Sequence, residues 1–162
     1  MPTCPRCNMW IVRQSPRRGV LERLLRVVTV YPFRCQLCTH RFLAFSGRPS
    51  YNPHRDYERI LVRYPVVFGS AFSGDEAEVA QGTLVNLSIR GCTIDGNVPA
   101  QEGACLRLRI EVAEHEPPVQ VEGAVVKSVE GKRMGLEFIK IGKEEEERLR
   151  RTIESRLYGR PY

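Results

Sequence analysis

The stretch Thr83-Leu-Val-Asn-Leu-Ser-Ile-Arg-Gly91 decides the fold. Val85, Leu87 and Ile89 alternate with Asn86, Ser88 and Arg90. A period of two belongs to a strand with one apolar and one polar face. Gly91 permits a sharp or left-handed turn where that strand ends.

The same reading extends in both directions. Ile60 to Phe68 is rich in β-branched residues, and Cys105 to Val112 alternates, with Leu106, Leu108, Ile110 and Val112 facing one way. Val119, Val121 and Gly123 open a strand that continues to Val129, Glu130-Gly131-Lys132 reads as a turn, and Met134 to Ile141 is the last strand. Strands and turns at this spacing predict a small antiparallel sandwich or barrel. Cys92, Cys105 and Phe138 read as core residues. His115 sits at a loop tip and has no assigned role. Lys143 to Tyr158 contains no proline or glycine, and its acids precede its arginines, which predicts a helix. The expected i,i+4 pairs are Glu144–Arg148, Glu146–Arg150 and Glu147–Arg151. Leu149, Ile153 and Leu157 form a narrow apolar stripe for the barrel or a partner.

The first 48 residues have a different character. Cys4-Pro-Arg-Cys7 and Cys35-Gln-Leu-Cys38 supply four thiolates, enough to close a tetrahedral metal shell. Structural zinc is the expected ion, and iron suits the same ligands. So small a segment has little core of its own, and a metal supplies the deficit. His40 is a nearby competing ligand, read here as a solvated side chain. Trp10 and Tyr31 are expected to pack around the module. The spacing resembles a zinc ribbon with a long insertion, in which Leu21, Leu24, Leu25 and Val28 recur at helical spacing among Arg17, Arg18, Arg23 and Arg26. The expected role of this helix is to cap the module, its arginines serving solubility. Residues 1–50 hold nine arginines and one acid, Glu22. That charge also suits nucleic acid, anionic lipid or an acidic protein. Gly47, Pro49, Ser50, Asn52 and Pro53 mark a linker. The expected division is a four-cysteine module over 1–48, a linker over 49–58, and a β-barrel with its helix over 59–162.

The 162 residues are 42% apolar and 27% charged, as in ordinary globular proteins. No apolar run reaches the roughly 18 residues of a membrane span. The best candidate, Val20 to Tyr31, is broken by Glu22, Arg23 and Arg26. The first residues lack the basic-then-apolar pattern of a secretory signal, so a cytoplasmic location is expected. An enzyme is not expected. The three histidines are scattered, and there is no phosphate-binding glycine loop or dinucleotide fingerprint.

Two short motifs remain. Arg55-Asp-Tyr-Glu-Arg59 precedes the first barrel strand, and Asn86-Leu-Ser88-Ile-Arg-Gly91 follows it. In this order they resemble the R-x-x-x-R and [D/N]-x-S-x-x-G motifs of the PilZ domain family. Arg59 to Phe68, Arg133-Met-Gly-Leu-Glu-Phe138 and the charged terminal helix extend the resemblance over about residues 52–158. It implies a six-stranded barrel with a C-terminal helix, and a receptor for cyclic di-GMP. By the same resemblance Arg55, Arg59, Asn86, Ser88 and Gly91 are the ligand-binding residues. Arg63 and Arg90 are further basic candidates outside the motif. The chemistry agrees, since an arginine fork matches both guanine O6/N7 and phosphate. Asn86 offers a donor and an acceptor to a guanine edge, Ser88 offers a hydroxyl, and Gly91 keeps the backbone clear of the ligand. Many family members carry an arginine where this chain has His54. The expected function is a receptor or adaptor that transmits cyclic di-GMP level to a protein partner by repositioning the zinc module. The alternatives are a nucleic-acid-binding regulator acting through residues 1–48, and a PilZ-like interaction domain without nucleotide.

Overall fold

The structure is a computed structural model that describes residues 2–46, 57–72, 80–96, 100–113 and 116–158. These fall into two compact units, Met1–Glu58 and Arg59–Tyr162. The residues read as a linker from Gly47 to Pro53, and also His54, Arg55 and His115, lie outside the described residues.

In the first unit β1 (Val12–Gln14), β2 (Val30–Cys35) and β3 (Arg41–Phe45) form an antiparallel sheet in the order β1-β2-β3. Between β1 and β2 lie α1 (Gly19–Leu24) and a 3-10 turn (Leu25–Val28). The expected cap is not formed, because no residue of α1 is buried. A helix this short gains little from its own hydrogen bonds. It is held by charge instead. Glu22 receives two hydrogen bonds from the Arg41 guanidinium at 2.7 Å, and Arg41 also donates to Ser15 Oγ and the Pro16 carbonyl. Tyr31 is buried beneath the Arg17 guanidinium, whereas Trp10 is exposed.

In the second unit six strands close a barrel in the order β4-β5-β6-β9-β8-β7, every neighbouring pair antiparallel. They are β4 (Ile60–Ser70), β5 (Ala80–Ser88), β6 (Gly91–Asp95), β7 (Cys105–Ile110), β8 (Val119–Glu130) and β9 (Arg133–Ile141). Val62, Tyr64, Val66 and Phe68 alternate inward as the strand pattern requires. In β5 the simple alternation fails. Two residues of β4, Val62 and Arg63, stand opposite the single residue Val85, and Val85 is also extra with respect to β6. This bulge turns Leu84 and Leu87 inward and leaves Val85 only half-buried. Bulges around Gly123 interrupt β8 in the same way. Cys92 and Phe138 are core, while Cys105 is only partly buried. Gly131, at φ +59°, forms the tight β8–β9 turn.

The strand β6 lacks a clear sequence pattern, and a backbone constraint defines it. A Cβ at Gly91 would lie 2.2 Å from the Leu136 carbonyl oxygen of β9. Gly91 is not among the positive-φ residues. The glycine therefore permits strand approach, where the sequence suggested a left-handed turn or room for a ligand.

Helix α2 (Lys143–Tyr158) buries Leu149 and Ile153, while Leu157 is only partly covered. Its first turns are pinned to the start of β8. Glu145 accepts the Gln120 N–H at 2.9 Å, and Arg148 donates to the Pro118 carbonyl at 3.1 Å. Near its end Arg156 donates to the Tyr64 hydroxyl at 2.9 Å. These anchors change the expected pairing. Arg148 pairs with Glu145 and Arg150 with Glu147 at i,i+3, and of the expected i,i+4 pairs only Glu147–Arg151 is found among the described residues.

Gly91→Ala is expected to destabilise the barrel by about 3 kcal/mol, since the overlap is with backbone and cannot relax by a rotamer change. Denaturant unfolding measures it. A second expectation concerns Glu22, whose carboxyl is held down to about 2 by the Arg41 hydrogen bonds, with smaller help from the Arg18 N–H. A depressed carboxylate stabilises above its unfolded value and loses that contribution as pH falls toward the folded one. The urea midpoint of the first unit, followed by Trp10 fluorescence, should therefore be higher for wild type than for Glu22→Gln at pH 6. The gap should close between about pH 4.5 and pH 2.

Candidate functional site

The two cysteine pairs adopt the same local geometry. The Cys4 N–H donates to the Met9 carbonyl, and the Cys35 N–H to the His40 carbonyl, five residues on in each case. Four residues beyond each first cysteine the chain takes a positive φ, 55° at Asn8 and 60° at Thr39. Asparagine tolerates that region, but β-branched threonine rarely adopts it, so the turn is imposed by its surroundings. All four sulfurs lie within 4.8 Å of one another, with Cys4–Cys38 and Cys7–Cys35 at 3.6 Å. Sulfurs around a tetrahedral zinc at 2.3 Å would be about 3.8 Å apart, so the donor set fits such an ion. Burial raises the Cys7, Cys35 and Cys38 thiols, partly opposed by backbone N–H groups. At Cys4 burial is outweighed by N–H groups of Arg6 and Cys7 and by the neighbouring thiols, and the net shift is downward. His40 stacks on Phe42 and is not part of the cluster.

The last residues before the barrel belong to this unit. Arg34 on β2 donates to the Tyr57 hydroxyl at 2.8 Å, and its guanidinium lies 5.6 Å from the Tyr57 ring centre. Gln36, between the two cysteines of the second pair, accepts the Glu58 N–H at 2.6 Å. The Glu58 carboxylate pairs with Arg13 at 3.3 Å. Two of the three residues inside Arg55-x-x-x-Arg59 are thus docked on the cysteine unit. The motif pattern treats these positions as arbitrary, so sequence reasoning missed them.

On the barrel, register brings motif residues together. Leu61, Asn86 and Thr93 are directly opposite one another on β4, β5 and β6. Directly opposite residues share a face, and exposed Leu61 identifies it as the outer one. Arg59 reaches this row and donates to Thr93 Oγ1 at 3.0 Å. Thr93 was not singled out by the sequence and follows only from register. Asn86 Oδ1 is shielded from water and has no partner among the described residues. An unpaired buried acceptor is costly by about 1–3 kcal/mol.

Ser88 takes a different place from the one expected. It is 4% exposed, and its hydroxyl donates to the Gly91 carbonyl at 3.1 Å and accepts the Arg90 N–H. That hydroxyl organises the β5–β6 turn and does not project into open space. Gly91 serves β9, as described above. Arg90 is exposed on the turn, its carbonyl bonded to the Phe138 N–H. Arg63 faces outward from the bulge. It lines a cleft of about 720 Å³ with Leu61, Thr83, Val85, Asp95, Arg133 and Arg156. Three arginines against one aspartate, itself paired with Arg133 at 3.6 Å, make this cleft cationic. Cys92 lies directly beneath the row, its thiol pushed up to about 12 by burial and slightly opposed by Arg59. At that value it is an inert core thiol.

Comparison with known proteins agrees with the architecture. The PilZ domain family model matches residues 53–155. Structures similar to this chain include YcgR of Escherichia coli in complex with c-di-GMP, with TM-score 0.54, 15% identity, and coverage of 80% of this chain and 65% of that one. The isolated PilZ domain of the same protein with c-di-GMP gives TM-score 0.51 and 18% identity, covering 65% and 93%. The inhibitor of motility MotI/DgrA of Bacillus subtilis gives TM-score 0.51 and 19% identity, covering 81% and 66%. The chain thus spans about two thirds of the MotI chain and of the YcgR chain in that complex. A comparison with curated protein sequences finds no match. With the family model covering most of the chain and a closed six-stranded barrel carrying the second motif on β5 and β6, the chain belongs to the PilZ domain family.

Proposed function

We propose that this protein is a receptor for cyclic di-GMP whose N-terminal zinc module senses the bound state. The observation that carries it is the outer-face row in which Arg59, Thr93 and Asn86, with its unpaired Oδ1, meet. In a PilZ barrel this row offers a guanine edge a guanidinium at Arg59, and rotation of the Asn86 side chain brings its buried Oδ1 to the same face as an acceptor. Arg55 closes the clamp from the other end of the motif. Arg90 and Arg63 contribute positive charge to the phosphates. Ser88 and Gly91 act by shaping the turn and seating it on β9. The protein binds and transmits, and it is not a catalyst. Two c-di-GMP complexes among the similar structures support this ligand class. Residues 1–48 form the zinc module, 49–58 the connecting segment and 59–162 the barrel with its helix. Cys4, Cys7, Cys35 and Cys38 hold one structural zinc, which supplies the folding energy a small unit lacks. A cytoplasmic location suits both the reduced thiols and the ligand. No helix among the described residues is long and apolar enough to cross a membrane.

The coupling has a covalent basis. Glu58 is bonded through its N–H to Gln36 in the second cysteine turn, and the next residue is Arg59. Ligand that fixes Arg55 and Arg59 pulls on a segment anchored beside the metal, and so repositions the module toward its protein partner.

Calorimetric titration with cyclic di-GMP is expected to show saturable binding at micromolar or tighter affinity. Arg55→Ala/Arg59→Ala should weaken it about 100-fold, the loss of two charge-assisted contacts. Absence of binding by heat and by a competing fluorescent probe would overturn the receptor reading. Removal of zinc by a chelator should weaken ligand binding about tenfold, and ligand should raise zinc affinity by the same factor, because coupling is reciprocal. Equal ligand affinity with and without zinc would overturn the coupling and leave the receptor reading standing.

A further inference from the structure

The first unit presents an apolar surface that its own fold does not cover. Along α1 and the following turn Val20, Leu21, Leu24 and Val27 are 70%, 69%, 63% and 85% exposed. On β3, Leu43 and Phe45 are 47% and 76% exposed. Residues 41, 43 and 45 of a strand point the same way, and Arg41 reaches Glu22 of α1. Arg41 thus ties β3 to α1, and both elements carry exposed apolar side chains. Arg17, Arg18 and Arg23 border them and are exposed. Glu22, the only acid in the first 50 residues, is engaged by Arg41 and subtracts little from the positive field.

A six-residue helix that buries none of its leucines has no stability to gain from its sequence alone. Here an ion pair holds it with its apolar side outward. Separate arginines would suffice for the phosphates of a nucleic acid, whose charged backbone gives exposed aliphatic side chains no apolar phase to enter. Apolar side chains rimmed by guanidinium groups match the two chemistries of a lipid boundary, acyl chains below and anionic headgroups around. We infer that the zinc unit docks peripherally on an anionic lipid surface, with Leu21, Leu24 and Phe45 entering the headgroup boundary and Arg18 and Arg23 engaging phosphates. The inference is independent of the nucleotide reading of the barrel.

The test is sedimentation of the full zinc-loaded chain with vesicles. Phosphatidylcholine vesicles containing roughly one quarter phosphatidylglycerol should carry the protein down, and pure phosphatidylcholine should do so about tenfold less well. Leu21→Ser/Leu24→Ser and, separately, Phe45→Ser should each reduce binding to the anionic vesicles about tenfold with unchanged thermal melting. Arg18→Gln/Arg23→Gln should reduce it similarly. No sedimentation with anionic vesicles would overturn the inference. So would full retention by both apolar variants, which would leave charge alone as the cause. Duplex DNA that displaces the protein from vesicles and binds the apolar variants as tightly as wild type would assign the surface to nucleic acid instead.

Discussion

The barrel depends on the absence of one side chain. At Gly91 the backbone of β6 comes so close to the Leu136 carbonyl that a methyl group has no room. That approach allows β6 to pair with β9 from Gly91↔Glu137 to Asp95↔Arg133. Without this ladder the five-residue strand has too little of its own to hold it, and the barrel opens between β5 and β9. The outer row of Arg59, Thr93 and Asn86 exists only while β6 lies between its neighbours. Ser88 supports the same junction by tying its hydroxyl across the turn to Gly91. A motif residue can thus serve a binding site through backbone placement as well as by contact.

A second constraint lies at Tyr57–Arg59. Tyr57 and Glu58 are bonded to Arg34, Gln36 and Arg13 of the cysteine unit, and Arg59 is bonded to the barrel. One short segment is therefore held at both ends by different cores. The backbone at Glu58 and Arg59 is thus fixed by hydrogen bonds on either side of one peptide link.

The cysteine unit carries its own division of labour. A small set of buried residues, Phe33, Leu37 and Tyr31 among them, forms its core beside the four clustered sulfurs. Its helix is fixed by charge, through Glu22 and Arg41, and that frees the leucines from core duty. The helix thus keeps its place while its apolar side chains stay exposed.

Much of the barrel was written in the sequence, because strand alternation, turn residues and helix charge order are local properties. Ile60 to Phe68, Cys105 to Ile110 and Met134 to Ile141 follow their patterns closely. The four cysteines and both motifs were also legible, since each depends on spacing along the chain. The bulge at Val85 was not. It arises from matching β5 to two neighbours at once, and it turns Leu84 inward in place of Val85 while Leu87 keeps its predicted side. Short β6 was not legible either, nor was Thr93, because register with β5 and β9 defines both. The leucines of α1 have the periodicity of a buried face and are exposed, for their environment is set by Arg41, nineteen residues beyond Glu22. Sequence alone determined which local elements form and which reactive groups are present. Tertiary structure alone decided which groups meet, because register, close approach and long-range ion pairs belong to pairs of segments and have no expression in either segment by itself.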